Sequence, residues 1–267
     1  MGIHLRQGFT IIETMLVLAI TGVLIAGLLV GLGSSISNQR YLDSVASFKA
    51  LIQQQYAKIE NVTNDRNQDW ICGNTATPTE AENGGTAPGQ TDCVLLGRYV
   101  GIVDDQITTA TVVGYPQSAN SSSSTIDFVK SDYTLGISKS SVEQTSLEWG
   151  AQIAWPSKGA GSVTPTSPRS LAILIIRSPE DGTSYTFTSD TVNAIDSVTS
   201  LTLTGMMVTN ITQTNPGQGG RTVCIEPGGV NVPEKLAIYI GSAASGSSSI
   251  ETRSKTLIQD AGGDTEC

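Results

Sequence analysis

Phe9–Gly33 is a run of 25 residues with a single charge, Glu13. A segment of that length crosses a hydrocarbon layer of about 30 Å as a helix. No other feature constrains the fold as tightly, because backbone polar groups in lipid have to be satisfied within the segment itself. Glu13 stands at the fifth position of the run. A charged residue at the centre of such a span costs about 2.5–3.5 kcal/mol on insertion scales, and a chain that keeps an acid within the span needs a partner for it. The amine freed by cutting the Gly8–Phe9 bond would be such a partner.

Other readings of the run fit less well. Secretory apolar regions are about 7–15 residues long and end at a small-x-small cut site; this run is longer and has no clean A-x-A at its end. A plain signal anchor has no use for Glu13. No Cys closes the run, which excludes a lipoprotein anchor. Arg6 and His4 precede the span, and the next basic residue is Arg40, past its far end. Positive charge stays in the cytoplasm. The leader is therefore cytoplasmic, and the region 61–267 is exported.

The segment Gly8-Phe9-Thr10-Ile11-Ile12-Glu13, followed by the apolar run, resembles the class III signal of type IV pilins and pseudopilins. The resemblance implies a leader Met1–Gly8, cleavage by a prepilin peptidase and methylation of the new N-terminus, Phe9. It implies that Glu13 acts in assembly, against the Phe9 amine of its own or a neighbouring subunit. Implied partners are other pilin subunits, the pilus assembly machinery and the cytoplasmic membrane. After assembly the location would be an extracellular filament supporting adhesion or motility. Major pilin, minor pilin and secretion-system pseudopilin all remain open. So does a membrane-tethered exported adhesin or binding protein.

The helical pattern continues past Gly33 but turns amphipathic. Tyr41, Val45, Phe48, Ile52, Tyr56 and Ile59 recur at spacings of three and four, with Leu42 and Leu51 beside them. That is one apolar helix face. No Pro occurs before Pro78, so one helix from Phe9 to Val62 is expected, about 80 Å long at ~1.5 Å per residue. Gly22, Gly27, Gly31 and Gly33 interrupt its membrane half. They suit close helix approach or local unwinding, and the sequence leaves that choice open. The expected organisation is leader 1–8, membrane and filament-core helix 9–33, amphipathic half 34–62, and an exported β-rich head 63–267.

The head is acidic: residues 61–267 carry 11 Lys/Arg against 21 Asp/Glu. No basic run could track phosphates, which argues against nucleic-acid binding by this subunit alone. Strands are expected at Val94–Val103, Ile107–Val113, Thr125–Val129, Tyr133–Ile137, Leu147–Trp155, Leu171–Arg177, Ser184–Thr188, Val198–Thr204, Met206–Asn210, Arg221–Glu226 and Lys235–Gly241, because these runs are rich in Val, Ile, Thr and Tyr. Leu171–Ile176 is almost wholly apolar and reads as an interior strand. Pro179-Glu180-Asp181-Gly182 reads as a hairpin turn. The stretch from 73 to 92, together with Ser118–Ser124, Ser157–Pro168 and Ser242–Ser249, reads as loop. The class is α+β: a long helix on an antiparallel β head, with a strand count that fits a two-sheet sandwich better than a minimal single sheet.

Cys72, Cys93, Cys224 and Cys267 are an even number in an exported region and read as two disulfides. Three connectivities exist; Cys72–Cys93 with Cys224–Cys267 is preferred because each pair is local. Zinc spacing is absent: there is no C-x-x-C, and the lone His, His4, lies in the leader. Without His in the mature chain, Ser-His-Asp and Cys-His systems have no base. No catalytic residue, cofactor site or metal site is expected, and the chain reads as non-enzymatic. Asp104-Asp105 reads as a solvated acidic turn, since no calcium loop surrounds it. The N-x-S/T triplets at Asn61, Asn120 and Asn210 read as chance in a Ser/Thr-rich chain. Trp149 and Trp155 share parity in one expected strand and read as core.

Overall fold

The computed structural model describes residues 10–61, 70–81, 90–117, 125–154, 157–158, 170–189, 191–208, 221–229, 232–241, 246–254 and 265–267. In chain order the elements are α1 (Ile11–Glu60), β1 (Trp70–Cys72), β2 (Pro78–Glu80), β3 (Val94–Val103), β4 (Gln106–Pro116), α2 (Thr125–Asp132), β5 (Tyr133–Ser146), β6 (Gln152–Ala154) and β7 (Ser157–Lys158). They continue with β8 (Ser170–Arg177), β9 (Ser184–Ser189), α3 (Ser200–Val208), β10 (Arg221–Glu226), β11 (Ala237–Ile240), β12 (Ile250–Arg253) and β13 (Thr265–Glu266). The class is α+β, with one long helix and antiparallel sheets.

Two sheets dominate, with strand orders β5-β4-β3-β8-β9 and β12-β11-β10-β6. Strand β8 explains its own apolar run. Leu171, Ile173 and Ile175 face a core shared with α1 and the four-stranded sheet. Ala172, Leu174 and Ile176 face a second core on the other side, with α3 contributing Leu203, Met206 and Met207. A strand buried on both faces loses the polar alternation of a half-exposed one. The head is therefore more than a sandwich of two sheets: α2 and α3 close the outer face of the larger one.

The second half of α1 is the spine of the first core. Tyr41, Val45, Phe48, Ile52, Tyr56 and Ile59 are all buried there. Two tyrosine hydroxyls anchor the stripe. Tyr41 donates to the Ile225 carbonyl at 2.9 Å and accepts from the Leu236 amide at 2.6 Å. The Tyr56 hydroxyl meets Thr186 Oγ1 at 2.7 Å. Burial pushes both phenols up to about 12.

Four strand expectations are corrected. Thr125–Val129 opens helix α2, with Val129 buried against the sheet. Val198–Thr204 and Met206–Asn210 fall on helix α3, and Thr209 and Asn210 lie outside the described residues. The β-rich composition of the run gave way to the spacing of Leu203, Met206 and Met207, which buries one helix face and leaves Leu201 82% exposed. Leu147–Trp155 breaks into a 3-10 turn at Glu148–Gly150 and the short β6. Trp149 sits in that turn at φ 59°, 53% exposed, with the Arg40 guanidinium 4.8 Å from its ring. It is not a core residue, and Trp155 lies outside the described residues.

The turn at Trp149 is held by a close approach. A Cβ at Gly228 would fall 2.0 Å from the Gly150 carbonyl oxygen, so only glycine fits there. The expected hairpin turn after β8 is present: Ser178 N–H donates to the Thr183 carbonyl at 2.8 Å, and Asp181 accepts from the Thr183 amide at 2.9 Å. Within the stretch read as loop from 73, Pro78–Glu80 is a short strand pairing with Trp70–Cys72. Cys72 is bonded to Cys93, which ties that ribbon to the start of β3. Cys224 of β10 is bonded to Cys267, the last residue.

Candidate functional site

The candidate site is the first half of α1. Its entry is built by four residues. Thr10 is the N-cap, with extended backbone at φ −78° and ψ 151°. Its hydroxyl accepts the Glu13 amide at 3.3 Å, and the Glu13 carboxylate accepts the Thr10 amide at 3.3 Å. This reciprocal arrangement is a capping box, which satisfies two otherwise orphaned donors at the helix start. The signal was in the sequence, since Thr10-Ile11-Ile12-Glu13 before an apolar run is the capping-box pattern. Glu13 thus has a partner within its own subunit, and its charge lies at the positive end of the helix dipole.

Beyond the cap, α1 carries apolar side chains on every side, and its most apolar 18-residue stretch has no part buried. The hydroxyls within the stem turn inward to the backbone. Thr14 donates to the Ile11 carbonyl at 2.9 Å, Thr21 to Val17 at 2.8 Å and Ser34 to Gly31 at 3.0 Å. Such back-bonding hides polar groups from lipid. A Cβ on Gly22, Gly27, Gly31 or Gly33 would meet nothing within 4 Å. Among the described residues, no contact inside the subunit therefore requires these glycines. The helix is unbroken across them in the single subunit.

Of the residues singled out in the sequence, Glu13 is placed at the helix start, while Gly8 and Phe9 lie outside the described residues. Sequence reasoning missed a polar cluster where α1 meets the larger sheet. Arg98 is buried at 3% exposure and donates through Nε to Gln55 at 2.9 Å and through Nη1 to Thr111 at 2.6 Å. Lys58 bonds both oxygens of Glu143, at 2.8 and 2.9 Å. The Lys58 hydrogen bond holds the Glu143 carboxyl below its ordinary range. An arginine inside a β run carries no periodic signature that would reveal such a cluster.

The family model for the prokaryotic N-terminal methylation motif matches residues 3–29. No curated protein and no solved structure matches the chain. The chain carries the type IV prepilin signal on a segment whose geometry is that of an unpartnered, capped, apolar stem.

Proposed function

We propose that this chain, which carries a type IV prepilin signal and is pilin-like at its N-terminus, is a structural subunit of a type IV pilus-like extracellular filament. Prepilin peptidase cuts it between Gly8 and Phe9, and the Phe9 amine is methylated. Residues 9–33 hold it in the cytoplasmic membrane with the leader inside, residues 34–62 fix the stem to the head, and residues 63–267 form the exported head. The observation that carries this reading is a stem that is apolar all round, unburied over its most apolar stretch and continuous with a helix half that is locked into the head.

Assembly follows from the same chemistry. In the membrane the stem is solvated by lipid. In a filament, neighbouring stems replace the lipid, and small residues let backbones approach closely. Glu13 then neutralises a Phe9 amine. In a medium of low dielectric that attraction far exceeds its value in water, so a subunit out of register leaves a charge unpaired. The capping box does not prevent this. A carboxylate offers about four lone-pair sites, so Glu13 can accept the Thr10 amide and an amine together. The pilin-type signal supports a structural rather than an enzymatic role.

Intact-mass measurement of the purified mature protein tests the reading. The expected mass lacks Met1–Gly8 and includes one added methyl group. Retention of Met1, or a cut beyond Ile25, overturns it.

A further inference from the structure

A cavity of about 420 Å³ lies beside the last turn of helix α1, which ends at Glu60, on the side of the larger sheet that the helix covers. Lys58 of α1, Arg98 of β3 and Arg177 at the end of β8 line it. Among the described lining residues the one acid is Asp181, whose carboxylate accepts the amide of Thr183 in its own turn.

The charge at this cavity runs against that of the molecule. The chain as a whole is −9. Arg98 donates to the neutral oxygens of Gln55, Thr111 and Thr109, and Glu143 stands 4.0 Å from its Nη2. That same carboxylate is held by Lys58 at 2.8 Å, so one anion serves two cations. Arg177 meets carbonyl oxygens among the described residues, Gly182 at 3.3 Å and Glu60 at 3.5 Å. Among the described residues, Lys58, Arg98 and Arg177 meet here with the carboxylates of Glu143 and Asp181. Hydrogen bonds to Gln55, Thr111 and Thr109 fix the position of the Arg98 guanidinium before any ligand arrives.

A smaller cavity of about 40 Å³ shares Leu95 and Thr111 with the larger one and is lined by Ser138, Ser140 and Thr91. Pockets for small molecules run from about 300 Å³ upward, with a few placed polar groups fixing orientation. A bare inorganic anion would leave most of this space unfilled. The geometry points to a site for an acidic sugar, with its carboxylate against Lys58, Arg98 and Arg177 and its hydroxyls toward Thr111 and the serine-lined end.

The test is calorimetric titration of the full chain in detergent micelles with glucuronate, glucose and sulfate. Because the subunit is unassembled, the outcome is independent of whether filaments form. Glucuronate binds, and glucose and sulfate bind at least about tenfold more weakly, roughly 1.4 kcal/mol. Arg177→Gln weakens glucuronate about tenfold, with the thermal unfolding midpoint of the free protein checked in the same preparation. Glu143→Gln acts in the opposite direction, tightening binding several-fold, because it removes the carboxylate that competes for Lys58. That opposite sign is not produced by a residue with a merely structural role, and it decides the matter if Arg177→Gln fails to fold. Absence of glucuronate binding, sulfate binding as tightly as glucuronate, or loss of affinity in Glu143→Gln overturns the proposal.

Discussion

Leu28 is 64% exposed and Phe48, on the same uninterrupted helix, is 1% exposed. Nothing in local backbone geometry separates them. The first half of α1 contains four glycines, each costing about 1 kcal/mol in a helix, while the second half contains none. The half with the poorer intrinsic propensity is the half with no tertiary support. Its helicity is imposed by its medium, since a backbone in lipid has no other way to satisfy its hydrogen bonds. The second half is held instead by packing, with Tyr41 and Tyr56 as polar anchors at its two ends. One helix therefore joins an exposed apolar stem to a half whose apolar face is packed into the head.

The sharpest way to break this contrast is Glu13→Val. Insertion into the membrane should persist, because valine makes the span more apolar. Incorporation into filaments should fail, since an uncompensated buried charge on the Phe9 amine costs several kcal/mol, on the order of 3–5. Co-expression with wild type, comparing membrane and sheared-filament fractions, reads the outcome. Processing is scored in the same samples. Incorporation at the wild-type ratio would remove Glu13 from its assembly role.

Paired truncations test the two halves directly. Phe48→Ala should destabilise the head by about 3–5 kcal/mol, seen as a lowered denaturation midpoint of the full chain in detergent. Leu28→Ala should leave that midpoint unchanged, because its side chain is 64% exposed and packs into neither core among the described residues. Equal effects of the two would mean that the stem and head are not energetically separate.

A smaller effect is expected from the covalent tie at the head's margin. Cys72→Ser with Cys93→Ser releases a loop spanning a sequence separation of 21, for which chain entropy sets an upper figure of about 3.4 kcal/mol. Denaturant unfolding of the double variant should lose no more than this, while stem insertion is unaffected.

The smallest effect is a pH dependence to which the packed half of α1 contributes two phenols. Tyr41 and Tyr56 are raised in the fold from 10.0 to about 12. Between those values the unfolded chain has released phenolic protons that the folded chain still binds. Stability is therefore complete below pH 10 and declines as pH rises toward 12. Tyr56→Phe should flatten that decline at the cost of one hydrogen bond, about 1 kcal/mol at neutral pH. An unaltered alkaline slope in Tyr56→Phe and Tyr41→Phe would place the titration elsewhere.

Much of this protein follows from linear patterns. The apolar run, the stripe from Tyr41 to Ile59, the doubly buried β8 and the Pro179–Gly182 turn are local in sequence and need no knowledge of distant contacts. Periodicity and turn chemistry suffice for them. Helix α3 shows where such patterns stop. Leu201 and Leu203 alternate as in a strand, and only the sheet beneath Leu203, Met206 and Met207 selects the helical spacing. Its cap was nonetheless present, with Thr199 accepting from the Thr202 amide at 3.4 Å. Trp149 was drawn into an expected strand by its apolar neighbours, yet the packing of Gly150 against Gly228 turns the chain there and leaves the indole outside.

By itself the sequence determined the stem: its length, its apolar surface, its single acid and the Thr10–Glu13 cap all arise from residues within a few turns of one another. The tertiary structure alone decided which residues meet across the head. It brought Arg98 of β3, Lys58 of α1 and Glu143 of β5 together from distant parts of the chain, and set Arg177 on the wall of the same cavity. Local interactions are encoded by spacing along the chain. The convergence of charges on one cavity depends on strand register and on where α1 ends over the sheet, and neither is a property of any short segment.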